Sequence, residues 1–151
     1  MTRLLTIILL AMLFTGCASV KMESKDASDK IKKFAPPGEG NSALYIYRDS
    51  TFGGALKKNL LIDGKCVGES APNVFFYTEV TGGGVHVIST ESEFSPNTLA
   101  LMLDSGKSYF IRQYIKMGIF IGGADLEAMS EDAGKLAISQ LQLATGGGCS
   151  K

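Results

Sequence analysis

The chain has 151 residues, 45 % of them apolar and 20 % charged, with 15 lysines and arginines set against 15 aspartates and glutamates. This composition suits one globular domain with accessory segments and excludes a generally disordered chain. A net charge of zero without a basic stripe argues against nucleic acid as a partner.

Met1-Thr2-Arg3 gives a short positive start, and the uncharged run from Leu4 to Phe14 follows, closed by the small residues Thr15 and Gly16. Such a run lies within the roughly 7–15 residues of a secretory h-region and well short of the roughly 20 that span a bilayer. Residues 1–16 are expected to be a signal peptide. Leu13-Phe14-Thr15-Gly16-Cys17 resembles a bacterial lipobox, with Phe14 where leucine is usual and Leu13 one step earlier. The resemblance implies cleavage before Cys17 and lipidation of that cysteine by palmitate-like chains, an anchor that needs no transmembrane helix. Losing the leader removes only Arg3 among the charged residues, leaving 14 basic against 15 acidic. Ala18 replaces the aspartate that retains enterobacterial lipoproteins at the inner membrane. By that analogy the protein faces the periplasm from the outer membrane.

From Ala18 to Asn41 both signs interleave through Lys21, Glu23, Lys25, Asp26, Asp29, Lys30, Lys32 and Lys33, and Pro36-Pro37-Gly38 interrupts any helix. Residues 17–41 therefore read as the lipidated N-terminus and a flexible, solvated tether. Residues 42–145 read as the folded domain and 146–151 as a glycine-rich tail.

Within the domain, short apolar runs alternate with turn signals. Ala43 to Arg48 is rich in aromatic and β-branched residues. Asn59 to Ile62 meets Asp63-Gly64, a strong hairpin signal, and Lys65 to Gly68 leaves it. Val74 to Val80 reaches Gly82-Gly83-Gly84, and Val85 to Thr90 follows; the three glycines read as a hairpin turn. Leu99, Leu101 and Leu103 alternate along one face, and Asp104 to Lys107 turns into Ser108 to Ile115. Near the end Ser130 is a helix N-cap, with Glu131 and Asp132 at the positive end of the dipole. Ala133, Leu136, Ala137, Leu141 and Ala144 form a narrow apolar stripe, Gly134 weakens the helix, and Gly146 offers a stop.

Signatures of catalysis are scarce. His86, the single histidine, lies between Val85 and Val87 and shares a strand face with Ile88, which reads as a packed structural histidine. There is no Gly-x-Ser-x-Gly elbow, and one histidine with two distant cysteines makes no zinc spacing. Gly82-Gly83-Gly84 precedes a strand, whereas a phosphate loop needs a helix N-terminus behind it. Glu91 and Glu93 read as a solvated strand end. No catalytic residue, metal or cofactor is expected. With Cys17 assigned to lipid, Cys66 and Cys149 are candidates for a disulfide in an oxidising compartment; a buried thiol and a free tail are the alternative. Tyr45, Tyr47, Phe75 and Tyr77 are candidates for an aromatic sheet face that takes a small ligand or a cell-wall glycan, against the plainer reading of core and cross-strand pairs.

Leu44-Tyr45-Ile46-Tyr47-Arg48, Ile62-Asp63-Gly64-Lys65, Val85-His86-Val87-Ile88 and Gly106-Lys107-Ser108-Tyr109-Phe110-Ile111-Arg112 resemble a family of small bacterial lipoproteins, domain of unknown function 2846. The likeness continues through Lys116-Met117-Gly118-Ile119-Phe120 and Gly134-Lys135. Asp63-Gly64-Lys65 with Gly68 is also similar to small β-sandwich modules of the PEGA type, found on bacterial surface proteins. Neither likeness implies a catalytic residue. Together the readings point to a mainly β protein, a small two-layer β-sandwich of about seven strands with one C-terminal amphipathic helix. The function expected is that of a non-catalytic envelope module, held on the bilayer through Cys17, with an envelope protein or peptidoglycan as partner.

Overall fold

Apolar runs and turn residues organise residues 18–150, the part the computed structural model describes, into nine strands and two helices. Residues 1–16, expected to be a signal peptide, Cys17, expected to carry lipid, and Lys151 lie outside the described residues. In chain order the elements are α1 (Lys25–Ile31), β1 (Asn41–Arg48), β2 (Lys58–Ile62), β3 (Lys65–Ser70), β4 (Val74–Thr81), β5 (Gly84–Thr90), β6 (Asn97–Leu103), β7 (Ser108–Lys116), β8 (Gly123–Met129), α2 (Glu131–Ser139) and β9 (Gln142–Leu143). One sheet runs β8-β7-β1-β4-β9 and the other β3-β2-β5-β6. The protein is thus mainly β, with two facing sheets. It has two strands more than expected, because β8 and the short β9 complete the first sheet.

β1 explains the layering. Its side chains alternate between two apolar environments, so the run from Ala43 to Tyr47 is continuous rather than alternating. Leu44 and Ile46 point between the sheets with Leu60, Ile62, Phe76, Ile88 and Leu103. Ala43, Tyr45 and Tyr47 point the other way, with Phe75, Phe110 and Ile138, beneath the helices. A buried polar chain also joins the sheets: Ser70 donates to Gln113 Oε1, Gln113 Nε2 donates to Thr90 Oγ1 at 2.7 Å, and Thr90 Oγ1 donates to the Asn59 carbonyl at 2.9 Å. Every member has a partner, which is what makes such a chain tolerable in a core.

Three expectations need correction. The segment expected to be a flexible tether is docked. Ser24 caps α1, whose Ala27 and Ile31, followed by Phe34, pack on the helix-side core, and residue Met22 bridges Ala144 in antiparallel fashion. The alternating charges occupy only the solvent side of that helix. The glycine run 82–84 does not close a hairpin: β4 and β5 belong to different sheets, so the run is a corner between layers. The C-terminal helix begins on the Ser130 cap as expected but ends at Ser139. Leu141 belongs to the helix-side core, while Gln142 and Leu143 pair with Val74 and Phe75 as β9. Leu136, counted in the apolar stripe, is exposed, and Gly134 takes the buried position. A Cβ on Gly134 would stand 2.3 Å from Phe110 Cγ, so its absence lets α2 lie directly on that ring.

Candidate functional site

The aromatic residues expected to form a ligand face are the first to settle. Tyr45 is 1 %, Tyr47 2 % and Phe75 0 % exposed, under α1, α2 and the chain around Phe34. Tyr45 stacks on Phe110 at 4.9 Å and meets Tyr77 at 5.0 Å. Burial pushes the Tyr45 phenol up to about 12, with the charge of Glu79 acting in the same direction. The face is a core, not a platform, because α1 covers what a free tether would have left open. Tyr77 alone reaches a cleft.

That cleft, of about 630 Å³, opens where the edges of the two sheets diverge, between β3, β4 and β5. The hairpin at its mouth is the one expected from Asp63-Gly64: both residues have positive φ, at 51° and 75°, as a type I′ turn requires. Asp63 Oδ1 accepts the Val87 amide at 2.9 Å, and its Oδ2 lies 2.6 Å from His86 Nδ1. His86 Nε2 lies 2.9 Å from the Thr81 carbonyl. Across the cleft Tyr77 Oη donates to Glu79 Oε1 at 2.6 Å, while Glu79 Oε2 accepts from the Gly38 amide and Asn41 Nδ2, each at 3.0 Å. Burial first, then the hydrogen bond to Glu79, raises the Tyr77 phenol. The Tyr77 bond, followed by those from Asn41 and Gly38, lowers the Glu79 carboxyl. These polar groups are engaged with one another, an arrangement suited to holding shape or binding a polar ligand at the rim.

His86 therefore sits at a cleft with a carboxylate beside it, which the strand pattern did not reveal. Cys66 and Cys149 are joined by a disulfide, with Cα atoms 5.9 Å apart, and Cys66, Gly146 and Gly147 line the same cleft. The tail is thus held against the β3 edge, where the Gly147 amide donates to the Val67 carbonyl at 2.7 Å. Glu91 and Glu93 are structural acceptors rather than a free pair. Glu91 takes the amide and side chain of Asn59; Glu93 takes the amides of Ile119, Phe120 and Ile121. Among the described residues no three of His, Cys, Asp and Glu gather as metal ligands.

A second feature lies at the opposite end of β1. Arg48 is 0 % exposed, and among the described residues no carboxylate neutralises it. Its Nη1 donates to the Leu56 carbonyl at 2.7 Å, and its Nη2 donates to the carbonyls of Gly53 at 2.9 Å and Phe52 at 3.1 Å. Burial lowers its pKa. The guanidinium moulds the loop between β1 and β2, and that loop's Gly54 carbonyl accepts the Ala18 amide at 2.8 Å. Arg48 followed by the glycine pair 53–54 was the signal available: a cation at a strand end, before a loop with carbonyls to spare.

Residues 38–124 match the family model described as a protein of unknown function, DUF2846. The chain belongs to the DUF2846 family. A relative from Haemophilus influenzae, described as an uncharacterized protein, is 56 % identical over 139 residues, spanning 92 % of this chain and 82 % of its own. No solved structure matches. The family match takes in both the cleft residues Asp63, Tyr77, Glu79 and His86 and the Arg48 loop, but not α2 or the tail.

In this DUF2846 protein both ring nitrogens of His86 face acceptors, Asp63 Oδ2 and the Thr81 carbonyl, an arrangement that favours the doubly protonated ring. The Asp63 bond raises its pKa above 6.5, opposed by burial, and the Thr81 carbonyl adds to the rise. Asp63 is lowered below 3.8, chiefly by the Val87 amide and then by His86. The raised histidine contributes stability fully below 6.5 and loses it as pH rises through the folded value; the lowered aspartate contributes above 3.8 and loses it as pH falls through its own. The pair is partly exposed, so its worth is below about 1 kcal/mol. Urea unfolding should show wild type more stable than His86→Gln near about pH 5.5, with the gap shrinking towards about pH 8.5. A gap that widens with pH would contradict the raised histidine pKa.

Proposed function

We propose that this protein is a lipid-anchored module of the bacterial cell envelope, acting by contact rather than catalysis and facing the periplasm from the outer membrane. The observation that carries this reading is the partition of its three cysteines. Cys66 and Cys149 are joined to each other, which suits an oxidising compartment, and Cys17 is left at the end of a secretory-type leader. Several acyl chains on one residue give durable anchoring where a single chain holds only marginally. The PEGA-like pattern at Asp63-Gly64-Lys65 fits a surface role of the same kind. In cells, Cys17→Ala should remain an unprocessed precursor that takes up no labelled palmitate, whereas wild type is labelled and shortened. Equal labelling of the two would sink the anchor reading.

A second reading, recognition of a small polar ligand or a cell-wall glycan, is favoured by the cleft beside His86, Lys65 and Tyr77 rather than by the aromatic face. Saturable shifts of the His86 ring resonances on titration with peptidoglycan fragments would support it, and their absence would remove it.

A further inference from the structure

We infer that the end of the sandwich carrying the Arg48 loop and the β7–β8 loop enters the bilayer as a second, apolar anchor beside Cys17. The inference rests on the reading of Cys17 as the lipidated residue.

Ten large apolar side chains are exposed among the described residues, and six of them gather at this one end: Phe52, Phe94, Met117, Ile119, Phe120 and Ile121. Met117 is 85 % and Phe120 83 % exposed. They are contiguous, since Phe52, Phe120 and Ile121 line one shallow groove and Phe94 follows the Glu93 that binds the β7–β8 loop. A patch of this kind on a monomer marks a contact surface.

The occupant follows from where the chain enters the fold. Residues 18–23 are not a spacer: the Ala18 amide is bonded to Gly54, the Thr145 amide to the Lys21 carbonyl, and the Glu23 amide to the Leu143 carbonyl. Gly54 belongs to the same loop as Phe52. Consecutive Cα atoms are about 3.8 Å apart, so a lipid on Cys17 is attached one residue before the Ala18 that is bonded to this loop. Acyl chains on Cys17 would therefore be tied, through Ala18, to the loop that carries Phe52, and the membrane that receives the lipid would meet the apolar end to which that loop belongs.

The backbone of the tip is prepared for a poorly hydrated environment. Unpaired amides are costly in hydrocarbon. At the tip the amides of Ile119, Phe120 and Ile121 all donate to the Glu93 carboxylate, at 2.7 Å for Ile119 and 3.1 Å for Ile121. The glutamate satisfies from within the three donors that water would otherwise have to serve.

The test uses the absence of tryptophan from the chain. Mature protein purified from membranes, carrying Phe120→Trp, Phe52→Trp or, at the opposite end, Lys107→Trp, is reconstituted into vesicles of phosphatidylethanolamine and phosphatidylglycerol with or without brominated acyl chains. Intact mass reads acylation of Cys17 independently. In acylated protein, Phe120→Trp and Phe52→Trp should show blue-shifted emission quenched by bromolipid, and Lys107→Trp should not. Adding Ile119→Ser to Phe52→Trp should remove part of that quenching while the protein stays vesicle-bound through its lipid. Acylated protein in which Phe120→Trp is quenched no more than Lys107→Trp overturns the inference and leaves the anchor reading standing. Emission that shifts with protein concentration, and not with bromolipid, overturns it in favour of a second copy as the occupant. A mass without lipid overturns the anchor reading and this inference with it.

Discussion

Arg48→Met is expected to destabilise the fold by about 2–3 kcal/mol and to loosen the chain from Phe52 to Leu56 more than any other part. Methionine fills much of the same volume but offers no donor, so the carbonyls of Leu56, Phe52 and Gly53 lose the bonds that hold the loop. Two effects oppose each other. Burying a guanidinium without a carboxylate is costly, its Nε finds no acceptor, and replacing buried ion pairs with apolar groups is often neutral. Here, however, the acceptors are backbone groups that stay in place whatever residue stands at position 48. Arg48→Lys should recover less than half of the loss, because one ammonium cannot span carbonyls that two separate nitrogens reach in the wild type. Urea midpoints measure the stability, and hydrogen exchange at the Ala18 amide reads the loop directly. A variant within about 0.5 kcal/mol of wild type, with Ala18 still protected, would show that the loop holds itself.

The contrast with His86 shows which features were legible in the sequence. Short-range signals were read correctly: Asp63-Gly64 closes its hairpin, Ser130 caps its helix, and Leu99, Leu101 and Leu103 turn one face inward. Each depends on backbone preferences or periodicity within a few residues. Apart from the end and the buried face of α2, the differences concern which layer a segment joins. Gly82-Gly83-Gly84 has the composition of a hairpin turn, yet the chain crosses from one sheet to the other there, because β4 pairs with β1 and β5 with β6. Tyr45 and Tyr47 could as well have faced water, and it takes both α1 and α2, with Phe34, to bury them. That docking was concealed by composition: three apolar contacts, Ala27, Ile31 and Phe34, are spread through a segment dominated by charge.

The candidate site was less legible than the fold for the same reason. His86 and Asp63 are 23 residues apart, and Glu93 and Ile119 are 26 apart. Nothing local in either stretch announces its partner. Arg48 closes the first apolar run of the domain, and its burial is visible only once the loop after it curls back over the guanidinium. Cys66 and Cys149 were recognisable as candidates by elimination, but their pairing needed the tail to run back along β3.

Removing that disulfide, by Cys66→Ser with Cys149→Ser, should cost about 2–4 kcal/mol of unfolding free energy. The bridge joins residues 83 apart, and closure of a loop that long in the unfolded chain is worth at most roughly 4.5 kcal/mol. The measured loss should fall below that ceiling, since the unfolded chain is more compact than an ideal coil. The native fold also keeps other ties to the tail: the Gly147 amide on Val67, and Asn59 Nδ2 donating to the Ser150 carbonyl at 2.8 Å. Those ties are few and near the surface, so without the bridge the tail should detach before the sandwich unfolds. Hydrogen exchange would then separate two effects in the double variant: amides from Gly146 to Ser150 become unprotected, while those of β1 and β4 slow exchange nearly as in wild type. The same pattern should follow from reductant acting on the wild-type protein, because Cys66 is exposed. An unchanged urea midpoint after complete reduction would mean that the bridge fastens the tail without constraining the unfolded chain, and that the core between the sheets alone sets the stability.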